Sequence, residues 1–323
     1  MASNTSAEAF APASMGNVGV GFDIMGLAFR EPGDVVRVER RDSPGVVISA
    51  IEGDGGALPL EAGRNTAGVA AQALLDMVGI DDGISMTIRK GLPLASGLGS
   101  SAASAVAAVV AVNALFGEPL SREALLPACL EGEAIVSGYH ADNVGPCLLG
   151  GITLTTHNSP AYIRCLPVPA NLHLALVTPA VAVPTAEARA VLPQSVSLRT
   201  MVAQTGAVAR LVDALYRGDV AEIAAAMESD SVIEAARAHL IPLLGEARHR
   251  AKNAGALGLV ISGAGPTLCA VCDSSLAAQN TATALQALYD DAGIGAQSRH
   301  TCIDEQGARV IQLNDVNIGA DVF

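Results

Sequence analysis

The sequence predicts an α+β protein built in two units, the first over residues 1–167 and the second over 168–323. Three observations lead there. Short alternating segments are broken by helical patterns in both halves, without the regular strand–helix–strand rhythm of a parallel sheet. A glycine-rich stretch, 91–101, runs straight into 102–116, which is apolar on every side and therefore reads as a helix buried all round. Pro160, Pro167 and Pro169 punctuate the middle of the chain, just before a new strand pattern begins.

The elements follow in order. Residues 34–41 alternate around Val36 and Val38, and 46–51 follow the turn Ser43-Pro44-Gly45, so both predict strands with one wet face. Residues 65–78 carry apolar positions at helical spacing, with Asn65 as a candidate cap and Gly79 as the stop. In 84–90, Ile84, Met86 and Ile88 share one face of a strand. Residues 121–137 predict a helix capped by Ser121, with Leu125, Leu126, Cys129 and Leu130 facing inward. Strands are expected at 150–156, 163–166 and 172–177. Helices follow at 197–217, 219–229 and 243–254, then strands at 257–261 and 267–272 around the loop 262–267. A helix at 276–292 and a strand at 295–302 close the pattern.

Composition narrows the function. Hydrophobic residues make up 50% and charged residues 16%, against about 25% charged in an ordinary domain, so a mostly disordered chain is excluded. Aromatics are 3% with no Trp, which leaves the core to Ala, Val, Leu and Ile. A net charge of −13 argues against a nucleic-acid partner, because phosphate contacts need clustered Lys and Arg. Only two lysines are present, Lys90 and Lys252. Four of the six cysteines are solitary; Cys269 and Cys272 sit in the apolar run Thr267-Leu-Cys-Ala-Val-Cys272 with no second pair or histidines at zinc spacing. They read as buried free thiols in a reducing compartment. The N-terminus lacks the basic and apolar regions of a signal peptide, and 102–112 is too short to span a bilayer. A cytoplasmic protein with no membrane partner is expected.

Gly97-Leu-Gly-Ser-Ser101, between a strand and a buried helix, can wrap phosphates with backbone N–H groups while the helix dipole favours the anion. It lacks the Gly-Lys-[Ser/Thr] of a Walker loop and the spacing of a dinucleotide fingerprint. Alone it leaves a phosphate cradle and a structural turn evenly matched. Ser262-Gly-Ala-Gly-Pro-Thr267 alone favours a tight turn between strands.

Three segments together carry more. Pro12-Ala-Ser-Met-Gly-Asn17-Val-Gly-Val-Gly21-Phe-Asp23, Pro93-Leu-Ala-Ser-Gly-Leu-Gly-Ser-Ser-Ala-Ala103 and Ser262-Gly-Ala-Gly-Pro-Thr267 resemble, in this order, the three motifs of the GHMP kinase superfamily. Within it the chain is most similar to the homoserine kinases, through Gly132-Glu133, His140-Ala-Asp-Asn143, Leu149-Gly-Gly151, Thr185-Ala-Glu-Ala-Arg189 and Glu234-Ala-Ala-Arg237. The resemblance implies an N-terminal part like ribosomal protein S5 domain 2 and a ferredoxin-like C-terminal part. It implies transfer of the γ-phosphoryl group of ATP to the side-chain hydroxyl of L-homoserine, a step of threonine biosynthesis, with Mg²⁺ and as a homodimer. The rival readings are a mevalonate- or shikimate-type kinase and a nucleotide-binding module without turnover.

The same resemblance assigns roles. Asn65, Pro93, Ser96, Gly97, Leu98, Gly99, Ser100, Ser101 and Ala102 would bind ATP, supported by Gly263 and Gly265 of the third motif. Glu133 and Ser101, with Ser100 as the other candidate hydroxyl, would hold Mg²⁺. Arg189 and Arg237 would take the substrate carboxylate, with Asn17, Asp23 and His140 around the polar head. Asn143 stands where mevalonate kinases carry an Asp; since Asn cannot act as a base, it would orient the hydroxyl with help from Thr185, and the γ-phosphate would take the proton. Met15, Gly16 and Gly145 depart from the family's usual Ser, Ala and Ala, so a retuned pocket is expected. Read without the family, the two arginines and Glu133 would be surface residues, His140 a loop histidine, and Asp23 a turn or cap residue.

Overall fold

The computed structural model describes residues 4–315. Strand β1 (Asn4–Gly16) leads through a tight loop into the long β2 (Met25–Arg41), and the two pair antiparallel. β3 (Val46–Glu52), α1 (Thr66–Val78) and β4 (Gly83–Arg89) form a crossover in which β3 and β4 run parallel. α1 begins as expected: the Asn65 side chain accepts the Ala67 N–H at 3.0 Å, and Gly79 stops the helix at φ +68°. α2 (Ser100–Leu115) is buried at every residue but Ser101, as its apolar periphery predicts. α3 (Leu126–Ala134), α4 (Ala141–Leu149), β5 (Ile152–Thr155) and β6 (Ile163–Leu166) complete the first half.

The second half runs β7 (His173–Pro179), α5 (Thr185–Ala190), α6 (Leu198–Arg217), α7 (Val220–Met227), α8 (Ile233–Arg237), α9 (Leu244–Asn253), β8 (Gly258–Ile261), β9 (Leu268–Cys272), α10 (Ser275–Asp291) and β10 (Ala296–Thr301). β11 (Arg309–Asp315) then returns to the first half and pairs antiparallel with β1. The first sheet therefore has the order β11-β1-β2-β4-β3, with β5 on β2 and β6 on β5; the second has the order β10-β7-β9-β8. The expected division at 167/168 keeps the second sheet whole, but β11 crosses it.

The sequence reading differs at several elements: β1, α4, α5, α8 and β11 are not among the expected ones, β2 starts at Met25 rather than 34, and one expected helix is divided. The helix expected at 121–137 is a 3₁₀ turn (Glu123–Leu125) followed by α3, and Ser121 makes no capping bond, because Pro127 restarts the helix two residues inside. β1 carries no strand alternation in its sequence, because Ala7, Ala9, Ala11 and Ala13 are buried with few polar residues between them to mark a wet face. α4 is nine residues long and contains Gly145-Pro146, so its sequence reads as a loop rather than a helix.

The second sheet is covered on both sides. Leu174, Leu176, Val260, Cys269 and Val271 face the core shared with α6, α7 and the first sheet. Ala175, Val177, Leu259, Leu268 and Cys272 face α9 and α10. Cys269 and Cys272 thus point to opposite faces of β9, as an odd spacing on a strand requires, and burial pushes both thiols up. Among the described residues no helix is long and apolar enough to cross a membrane.

Candidate active site

A cavity of about 480 Å³ opens where the glycine-rich loop, the loop after β1, α4, α5 and the 262–267 turn meet. It gathers most of the expected residues: Asn17, Asp23, Asn65, Ser96, Gly97, Gly99, Ser100, Ser101, Glu133, His140, Asn143, Thr185, Arg189, Arg237, Gly263 and Gly265 all line it. Pro93, Leu98 and Ala102 do not. Leu98 and Ala102 are buried in the core behind the loop. Pro93 faces solvent and offers only its carbonyl, which accepts the Ser96 hydroxyl at 2.8 Å. Asn65 lines the wall, but both ends of its amide are engaged locally, with Ala67 N–H and the Pro59 carbonyl.

The glycine loop needs its glycines. Gly97 (φ +78°) and Gly99 (φ +65°) lie in the left-handed region, and a Cβ on Gly97 would sit 2.3 Å from the Ser262 carbonyl oxygen. That crowding gives the third motif its work. The Ser262 hydroxyl donates to the Gly97 carbonyl at 2.7 Å, and Thr267 N–H donates to the Ser96 carbonyl at 3.1 Å. The first motif holds the far side, where Ser14 N–H meets the Leu98 carbonyl at 3.0 Å. The N-terminus of α2 is thereby aimed into the cavity, the geometry that binds phosphate groups.

Glu133, on α3, is buried rather than solvated. Its Oε1 takes the Ser137 hydroxyl, while Oε2 is buried with no partner among the described residues. Burial pushes the carboxyl up, and the Ser137 hydroxyl bond, the nearby Ser101 hydroxyl and the Lys90 charge pull it part of the way back. An orphaned carboxylate oxygen beside a serine hydroxyl, facing a phosphate-type loop, fits a divalent cation that takes its other ligands from phosphates and water.

The opposite end of the cavity is ionic. Asn17 (φ +72°), Val18 (φ +43°) and Asp23 (φ +59°) all lie in the left-handed region. A β-branched residue there is strained. The loop is held by Asn17, whose Oδ1 accepts Asp23 N–H at 3.1 Å and whose Nδ2 donates to the Gly263 carbonyl at 3.0 Å. Asp23 receives a two-pronged bond from Arg189 at 2.8 and 3.1 Å, with His140 Nδ1 3.5 Å away. Burial lowers His140 most, and the Asp23 charge opposes that. Arg237 is buried and anchored, donating to the Ala188 and Gly263 carbonyls, both at 3.0 Å. The two guanidinium groups flank the Phe22 ring at 5.6 and 5.5 Å.

Two residues lay outside the sequence reading. Asp142, next to Asn143 on the first turn of α4, is buried and lines the cavity. Burial, then the charges of Asp23 and Glu133, push its carboxyl up to about 7. Gly16 makes the space: a Cβ there would lie 2.2 Å from Asp142 Oδ2. The departure at Gly16 was the available signal, and it points at a carboxylate. Lys90 also borders the cavity, buried against Asp34. Asn143 accepts the Ser14 hydroxyl at 3.1 Å through Oδ1, which leaves its amide nitrogen as a donor.

Comparison with known proteins gives the family. Family models for the GHMP kinases N terminal domain and the GHMP kinases C terminal match residues 65–151 and 211–291. A homoserine kinase of Chloroherpeton thalassium is 43% identical over 87% of this chain and 91% of its own length. One of Xylella fastidiosa is 43% identical over 94% of each. The crystal structure of homoserine kinase from Cytophaga hutchinsonii superposes with a TM-score of 0.91 at 42% identity, covering 95% of this chain and 97% of that one. The mevalonate kinase of L. major, at 21% identity and a TM-score of 0.70, shares the fold. The chain belongs to the GHMP kinases and, within them, to the homoserine kinase family.

Proposed function

We propose that the protein transfers the γ-phosphoryl group of ATP to the hydroxyl of L-homoserine, giving O-phospho-L-homoserine and ADP in threonine biosynthesis. One observation carries the choice of acceptor: the Arg189–Asp23 pair at the ionic end of the cavity. An α-amino acid is a zwitterion. Entering beside this pair, its carboxylate takes up guanidinium donors and its ammonium takes up a carboxylate acceptor, so one internal ion pair is exchanged for two external ones. Arg237 adds positive charge behind Phe22. Mevalonate and shikimate bring a carboxylate without an ammonium and would leave Asp23 unpaired.

The glycine loop and the α2 N-terminus would receive the phosphates. Glu133 and Ser101 would hold Mg²⁺, which when bound offsets phosphate charge. Asn143 donates to the acceptor hydroxyl and fixes its direction, with Thr185 on the facing wall. Asp142, whose proton affinity lies near neutrality, takes the hydroxyl proton in place of the γ-phosphate. Phosphoryl transfer otherwise depends on alignment and charge neutralisation.

The same reading includes a homodimer, supported by the exposed apolar first half of α6, where Leu198 is 72% and Val202 61% exposed. It also includes a cytoplasmic site, supported by six unpaired thiols, and no nucleic-acid partner, supported by the −13 charge. The test is ADP release with L-homoserine, L-threonine, mevalonate and shikimate. Homoserine is expected to exceed mevalonate and shikimate in kcat/KM by about 10⁴-fold, the scale on which a site left with unpaired buried polar groups rejects an analogue. Preferred turnover of mevalonate or shikimate, or ATP binding without turnover of any acceptor, would overturn the reading.

A further inference from the structure

Lys90 is one of two lysines in the chain and the one that borders the cavity. A lysine near a phosphate loop suggests a phosphate ligand, but the geometry is against it. Its side chain is 1% exposed, and its ammonium donates to Asp34 Oδ2, to the Ser100 carbonyl at 2.8 Å and to the Ser104 hydroxyl at 2.7 Å. Those three bonds use all three protons.

Asp34 is the centre of the cluster. Its carboxylate is fully buried on β2. Oδ1 accepts Gly91 N–H at 3.0 Å and Leu92 N–H at 3.2 Å; Oδ2 accepts Lys90 and, at 2.7 Å, the Ser104 hydroxyl. Gly91 and Leu92 are where the glycine-rich stretch begins; Ser100 and Ser104 are the first turns of the helix it feeds. One carboxylate on a neighbouring strand therefore ties down both ends of the loop. The backbones meet closely at that point, since a Cβ on Gly91 would lie 2.1 Å from the Gly33 carbonyl oxygen. An unpaired carboxylate here would put a negative charge behind a site for phosphates, and Lys90 cancels it.

We infer that Asp34, Lys90 and Ser104 are positioning residues for the nucleotide: a buried, charge-neutral staple that fixes the loop and the α2 N-terminus without touching the phosphates. The inference rests on the glycine loop binding ATP, and the test separates the two. Wild-type enzyme is first assayed for ADP release with L-homoserine; without turnover, the proposed function fails and the variants are read by ATP binding in calorimetry. Asp34→Asn, Lys90→Met and the double variant are then compared for KM of ATP and of homoserine, with thermal unfolding alongside. Each single variant is expected to raise KM for ATP about tenfold, the double no further, and KM for homoserine less than about twofold. Ser104→Ala carries no charge change and is the deciding variant where the others fail to fold; about a threefold rise in KM for ATP alone is expected. Normal ATP affinity in Asp34→Asn with loss in Lys90→Met would make the lysine a phosphate ligand and overturn the inference. So would parallel rises in both KM values, or an unchanged Ser104→Ala.

Discussion

Asp142 shows what a single position can carry. Its side chain is buried near Asp23 and Glu133, so ionising it in the folded protein is costly, and the carboxyl is pushed up to about 7. In the unfolded chain it titrates near 4. A carboxyl raised on folding binds its proton more tightly in the native state, so stability falls as pH climbs from about 4 to about 7 and is level above that. Asp142→Asn removes the penalty. In urea unfolding its gain over wild type at pH 8 should exceed its gain at pH 5 by about 2 kcal/mol; equal gains would mean the carboxyl is not perturbed. The same residue sets a rate prediction. If Asp142 takes the hydroxyl proton, wild-type kcat falls as pH drops through about 7, Asp142→Asn loses that limb, and Asn143→Ala lowers kcat while keeping it. A wild-type profile flat through pH 7 would return the proton to the γ-phosphate.

At the scale of elements, β8 is the clearest case of side chains completing a sheet. It is an edge strand, and its outward groups are met by side chains: Glu228 accepts Leu259 N–H at 2.9 Å, Glu234 accepts Ile261 N–H at 3.2 Å, and Arg248 donates to the Leu259 carbonyl at 3.2 Å. The arrangement blocks edge pairing and also ties α8, which carries Arg237, to the sheet. Glu234→Ala should cost about 1–3 kcal/mol in chemical denaturation, because it leaves a backbone donor unmet and Arg248 short of a partner. It should also raise KM for homoserine more than KM for ATP; a normal KM for homoserine would show that Arg237 is held without it. The sequence shows such elements unevenly. α6 is legible because its apolar residues keep a helical period, and α2 and β9 because they are unbroken apolar runs of helix and strand length. The glycine loop is legible because glycine at Gly97 and Gly99 is the residue type that a left-handed backbone selects. β1 and α4 were hidden, the first by uniform small residues and the second by Pro146. Asp142 and the Asp34–Lys90 pair were hidden because burial and partner are properties of the fold, and an isolated acidic or basic letter reads as surface.

The molecule as a whole is bound by a core that does not respect its two sheets. One apolar cluster runs from Ala7 and Val36 through α2 and on to α6, α7, Val260 and Val271. The cavity adds polar crossings, such as Asn17 on the Gly263 carbonyl and Arg189 on Asp23. Calorimetry should therefore show one cooperative transition whose calorimetric and van't Hoff enthalpies agree; two resolved transitions would mean that the halves unfold independently. The pairing of β11 with β1 has a further consequence, which concerns time. Ser6 and Asn314, joined across that pair, are separated by 308 residues. At roughly 5–20 residues per second, β1 leaves the ribosome some 15–60 s before its second neighbour exists. During that interval the strand bearing the first motif has β2 on one side and an open edge on the other. The newborn chain would need a chaperone, or speed, to keep that edge from another copy of itself.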